Sequence, residues 1–127
     1  NCGEIVLDTL LIDQLRRLGC RVVSVVRGQE VINDVTREDA EQVGLTDFID
    51  NGNGVAGTDP ALLSPACRAL LTQSDFILSK GQGNFEPLYG CGWNVYYLFL
   101  CKCDYFTRRF GMERLKGVFA NERRLAL

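Results

Sequence analysis

Gly19-Cys20-Arg21-Val22-Val23-Ser24-Val25-Val26 turns, after its glycine, into a nearly continuous run of β-branched residues. Such a run, apolar on both alternating faces, is the pattern of an interior strand in a parallel sheet covered on both sides. Upstream, Gly3 to Leu18 reads as a helix with a narrow polar stripe of Thr9, Asp13, Arg16 and Arg17. A helix so apolar elsewhere is expected to lie largely buried against a sheet, and Gly19 stops it as a C′ glycine. Downstream, the alternation repeats. Thr36 is placed to cap a helix over Arg37 to Val43, with Asp39 three residues on in an approximate capping box. Asp47 to Asp50 is a short strand, and Ser64 and Pro65 suit the N-cap and first turn of a helix to about Thr72. Asp75 to Ser79 and Val95 to Cys103 read as strands, Asn84 to Tyr89 and Tyr105 to Phe110 as short helices, and Gly117 to Ala120 as a last strand. Helices alternating with strands through short links predict one α/β domain over residues 1–127, a three-layer sandwich with a mostly parallel sheet and right-handed crossovers.

Composition narrows the chemistry. With 127 residues, 46% apolar and 24% charged, the chain has the balance of a soluble domain with a real core. Its formal net charge is −2 and no basic run exceeds two residues, which argues against a nucleic-acid surface. No apolar run is long enough to span a bilayer. Histidine is absent, which excludes a Ser-His-Asp triad, a phosphohistidine mechanism and imidazole-ligated zinc within this chain. Several of the six cysteines fall in or beside apolar β-like runs, where cysteine behaves as a small core residue. A reduced, cytoplasmic setting is the expectation.

Three polar clusters stand where apolar runs end: Asn1 to Glu4, Asn33 to Thr36 and Lys80 to Asn84. In a parallel α/β sheet the loops at the carboxyl ends of neighbouring strands converge on one crevice. An amide oxygen beside a carboxylate suits a hard divalent cation. A lysine followed by the glycine-rich turn Gly81-Gln82-Gly83-Asn84 into a helix suits a phosphate. Each cluster has a plainer reading. Asn33-Asp34 also fits a helix cap, although Thr36 already fills that role, and Lys80 to Asn84 also fits an ordinary strand-to-helix turn.

Two further patterns are weighed and set aside. Gly52-Asn53-Gly54-Val55-Ala56-Gly57 is a literal G-x-G-x-x-G, but Pro60 and Pro65 interrupt the helix that should open within it, and Asp75 begins a strand instead of ending one. A nucleotide- or cofactor-binding module built on that loop is the alternative function. Cys103 to Arg109 fits C-x5-R, yet its bulky residues read as helix, not as an anion-wrapping loop.

Asn-x-Gly-Glu-Ile-Val at Asn1, Arg-Gly-x-x-x-Ile-Asn-Asp-Val-Thr from Arg27 to Thr36, and Ser-Lys-Gly-Gln-Gly-Asn-Phe-Glu from Ser79 to Glu86 occur here in order. With them the chain resembles the damage-control phosphatase family, metal-dependent enzymes first grouped as domain of unknown function 89, in its shorter prokaryotic form. The resemblance implies a Rossmann-like domain, usually preceded by a helical N-terminal region, that hydrolyses small phosphate monoesters such as sugar phosphates or damaged metabolites. It implies a divalent cofactor, Mg²⁺ or Mn²⁺, with Co²⁺ or Ni²⁺ as further options, held by an Asp-Asn pair and a second Asp. By position, Asn1 is the Asn of the pair and Asp34 the second Asp, while Lys80 matches the lysine facing the phosphate. The Asp of the pair would immediately precede Asn1, so the chain reads as the C-terminal portion of a longer protein, weak in metal binding and turnover on its own. The nucleophile stays open between metal-bound water and an aspartate. Arg27 and Asn33 are expected to clamp phosphate and brace the metal loop, with Thr58 and Asp59 on the substrate side.

Overall fold

In a computed structural model, residues 1–125 are described; the last two positions of the domain expected over 1–127 lie outside them. The chain forms two compact units, one of Asn1–Val55 with Leu62–Cys67 and one of Ala56–Ala61 with Arg68 onward. Both are α/β, with strands β1 (Ser24–Val26), β2 (Phe48–Asp50), β3 (Ile77–Lys80), β4 (Val95–Leu100) and β5 (Gly117–Asn121). The helices are α1 (Ile5–Arg17), α2 (Arg37–Gln42), α3 (Pro65–Gln73), α4 (Gln82–Leu88) and α5 (Asp104–Phe110).

In the first unit, α1 ends as its sequence dictates. Gly19 takes φ 88°, its N–H donates to the Arg16 carbonyl, and the Cys20 N–H reaches back to Leu15. This double bond is a Schellman closure that only an unhindered left-handed residue makes easily. β1 pairs in parallel with β2, Ser24 opposite Phe48 and Val26 opposite Asp50, with α2 in the crossover. Thr36 closes the expected capping box: its hydroxyl accepts from the Asp39 N–H while Asp39 accepts from the Thr36 backbone. The small core joins Ile5, Ile12, Val26, Ala40 and Leu45.

Two expectations are corrected here. The ladder starts at Ser24, not Cys20, because β2 is three residues long and offers no partners further back. α1 is not largely buried: Ile5 and Ile12 are, but Val6, Leu7, Leu10, Leu11 and Leu18 are exposed. A two-stranded sheet of three-residue strands has surface for one stripe of the helix and no more.

In the second unit, β3 and β4 are parallel around α4, and β5 returns antiparallel to β4. Two of the three ladders are thus parallel, in keeping with a mostly parallel α/β fold. Alternate residues of β4, Val95, Tyr97 and Phe99, point into a core built around Phe85 of α4. The Phe85 ring lies 4.8–5.6 Å from those of Tyr89, Tyr97, Phe99, Phe106 and Phe110. Tyr97 is fully buried and its hydroxyl donates to Glu122 at 2.7 Å. Burial, and then the adjacent Glu122 carboxylate, push that phenol far above its ordinary range. Among the described residues no helix is long and apolar enough to cross a membrane.

Candidate functional site

The first unit brings two of the three polar clusters together. The Cys2 N–H donates to the Asn33 carbonyl at 2.9 Å, so the segment holding Asn1 runs beside the one holding Asp34. The Asn1 side-chain oxygen accepts from the N–H groups of Gly3 and Glu4, both at 3.1 Å, which fixes its amide at the entry to α1. The Cys2 thiol points at the Asp34 carbonyl (3.6 Å) and the Asp39 carboxylate (3.4 Å). Desolvation, then the Asp39 hydrogen bond and charge, raise its pKa, which keeps it a neutral donor. Bonds from the Thr36 backbone and hydroxyl, and then from Cys2, lower that of Asp39.

Arg27 follows directly on β1 and is buried, and its Nε donates to Asp34 Oδ2 at 2.8 Å. Its loop is anchored from a residue the sequence did not single out. Asn51, at the end of β2 and fully buried, accepts from the Gly28 N–H at 2.8 Å, and its own N–H donates to Val26. Gly28 has no room for a side chain there: a Cβ would stand 2.8 Å from the Asn53 nitrogen. Asn51 sits in a run of turn formers, and only its place at a strand's carboxyl end hinted at more.

In the second unit, Lys80 ends β3 opposite Leu98, and Gly81 turns the chain with φ 86° while its N–H donates to the Leu98 carbonyl. The Gly81 carbonyl takes the N–H groups of Asn84 and Phe85, leaving those of Gln82 and Gly83 without acceptors in the helix. Asn84 holds the turn itself: its amide donates to the Lys80 carbonyl at 2.8 Å and accepts from the Thr58 hydroxyl at 2.8 Å. Gln82 accepts from the Lys102 N–H at 3.1 Å, joining the turn to the loop after β4 as neighbouring parallel strand ends should be joined. Asp59 caps a 3₁₀ turn through the Ala61 N–H at 2.8 Å. Among the described residues, the Ser79 hydroxyl, one position before Lys80, is a buried polar atom without a partner.

Gly57 explains part of the glycine-rich loop. Pro87, inside α4, has no N–H to give the Gly83 carbonyl, and Gly57 packs against that carbonyl. With φ 82°, and with Pro87 Cγ 2.8 Å from where a Cβ would be, the position requires glycine. No helix opens within Gly52 to Gly57, so the dinucleotide pattern lacks its defining element. Cys103 stands at the N-cap position of α5 without a side-chain bond to it, and the rest of the C-x5-R stretch is helical as expected.

A family model, the damage-control phosphatase ARMT1-like domain, matches residues 1–116. The chain belongs to this family. A damage-control phosphatase of Archaeoglobus fulgidus is 34% identical over 118 residues, covering 89% of this chain and 41% of that protein. One from Pyrococcus horikoshii is 32% identical over 120 residues, covering 90% and 42%. The crystal structure of a DUF89 family protein from Pyrococcus horikoshii superposes with a TM-score of 0.88 at 28% identity, over 94% of this chain and 44% of that one. The chain therefore spans about two-fifths of the length of the damage-control phosphatases it matches.

A divalent cation suits the donors of the first unit. The Asp34 carboxylate is a hard ligand, whereas the Asn1 amide oxygen already accepts from Gly3 and Glu4 and would have to give up one of those bonds to meet a cation.

Proposed function

We propose that the protein is a divalent-metal-dependent phosphatase of small phosphate monoesters, such as sugar phosphates or damaged metabolites. Membership of the damage-control phosphatase family carries this reading, supported by hard oxygen donors at Asn1 and Asp34 and by the lysine-glycine turn. Bound Mg²⁺ or Mn²⁺ (Co²⁺ or Ni²⁺ as alternatives) would supply positive charge to the phosphoryl oxygens as charge builds in the transition state. Asp34, and Asn1 once its amide oxygen releases one of its two N–H donors, would hold that cation, and Asn33 would brace the loop carrying Asp34. Lys80 neutralises a phosphoryl oxygen, and the Gln82 and Gly83 N–H groups offer it hydrogen bonds. Asn84 and Thr58 keep the turn in shape, with Gly81 as its pivot and Asp59 fixing the adjoining loop. The attacking oxygen, from water or an aspartate, forms the new bond to phosphorus as the bond to the leaving alcohol oxygen breaks.

In this reading Asp34→Ala lowers Mn²⁺-dependent turnover of p-nitrophenyl phosphate by at least ~10²-fold. A loss below about threefold removes Asp34 from the ligand set. Orthophosphate should also raise the melting temperature more with Mn²⁺ than without it, and Lys80→Met should abolish the increment.

A further inference from the structure

We infer that Arg27 is the positioning residue that holds Asp34 as a cation ligand; this rests on the reading of Asp34 just given. The two partners differ in burial: the Arg27 side chain is 9% exposed and that of Asp34 35%. The guanidinium is thus fixed in the protein, while the carboxylate it grips at 2.8 Å still reaches solvent. The Nε contact is directional, since it uses one N–H of a planar fork.

The rest of the loop is built to the same end. The Arg27 N–H donates to Val35 at 2.8 Å and the Asp34 N–H to Val31 at 2.9 Å, which pins both ends of the 27–35 excursion. Between them Ile32 sits at φ 52° and is 96% exposed. A β-branched residue in the left-handed region is unfavourable, and exposure at this level returns no burial energy to offset it. A strained conformation persists where surrounding bonds over-determine it, and here those bonds converge on Asp34.

Two effects of Arg27 on a cation oppose each other. Its charge repels the ion, whereas its hydrogen bond holds the ligand in place. Asp34 is exposed enough for water to screen the repulsion, so the positioning effect dominates.

The test measures free Mn²⁺ by electron paramagnetic resonance, with no turnover needed, and orthophosphate affinity at saturating Mn²⁺. Arg27→Met is expected to weaken Mn²⁺ binding ~10–100-fold, the range for partners that orient a metal ligand. Orthophosphate affinity should stay within about threefold. Arg27→Lys keeps the charge and loses the planar fork; it should still lose at least ~threefold in Mn²⁺ affinity, and it serves if the methionine variant does not fold. Unchanged or tighter Mn²⁺ binding in both variants overturns the assignment, as does a loss confined to orthophosphate, which makes Arg27 a phosphate contact. Asp34→Asn separates the two levels of the claim. If it binds Mn²⁺ like the wild type, the metal reading itself fails; if it does not and the Arg27 variants do, only Arg27 is misassigned.

Discussion

The loop carrying Asp34 and the turn carrying Lys80 are held by opposite means. The first stands in a unit with a small aliphatic core, and polar bonds shape it: Arg27 to Asp34, Asn51 to Gly28, Cys2 to Asn33 and the Thr36–Asp39 box. The second is the start of α4, and four residues into it Phe85 enters an aromatic cluster of five further rings. Directional bonds suit a site where one oxygen must point one way, while a packed ring fixes a helix without specifying any single polar atom. Asp34 therefore depends on particular partners, and the Lys80 turn depends on core volume.

The contrast predicts which substitutions hurt. Phe85→Ala empties the centre of the second core and should cost about 3–5 kcal/mol in urea unfolding. A cost near that of a surface change would show that the rings are not what holds α4. Thr36→Ala removes the hydroxyl half of the capping box in the first unit and should cost about 1 kcal/mol, with α2 fraying first in hydrogen exchange. If it cost more than Phe85→Ala, the comparison would be inverted.

Tyr97→Phe gives the smallest effect and probes the polar bond inside the aromatic core. Tyrosine in the unfolded chain ionises near 10, whereas in the fold the phenol stays protonated well above that. The unfolded state thus sheds the proton first, so stability from this group is complete below pH 10 and declines as pH rises beyond it. Urea midpoints compared at about pH 9 and pH 11 should fall more in the wild type than in Tyr97→Phe. Equal slopes would mean that the phenol is not shielded.

Much of this was written locally. The Gly19 stop, the Thr36–Asp39 box and the Ser64–Pro65 start each depend on residues within one turn, and each formed where expected; β4 begins at Val95 as read but ends at Leu100, short of the expected Cys103. The extent of ladders was not legible, because Cys20 to Val23 need partners that β2 does not extend to supply. The Arg27–Asp34 pair was hidden as well. It spans seven residues of loop whose path turns on a left-handed Ile32, and isoleucine does not advertise that conformation. Asn51 was read as one more turn former, since nothing in its neighbours reveals full burial. The placing of Lys80 at a strand end needed only the apolar run before it.

Pro87 and Gly57 answer each other across the first turn of α4: one withholds an amide hydrogen from the Gly83 oxygen, and the other leaves space for a backbone to press against that oxygen. Neither residue makes sense alone. Replacing Pro87 by an ordinary amino acid would lift the demand for bare backbone at 57 only in part, because the left-handed φ would persist. Gly57 is therefore the more constrained of the two, since its φ and the nearby Gly83 oxygen exclude a side chain whatever stands at 87.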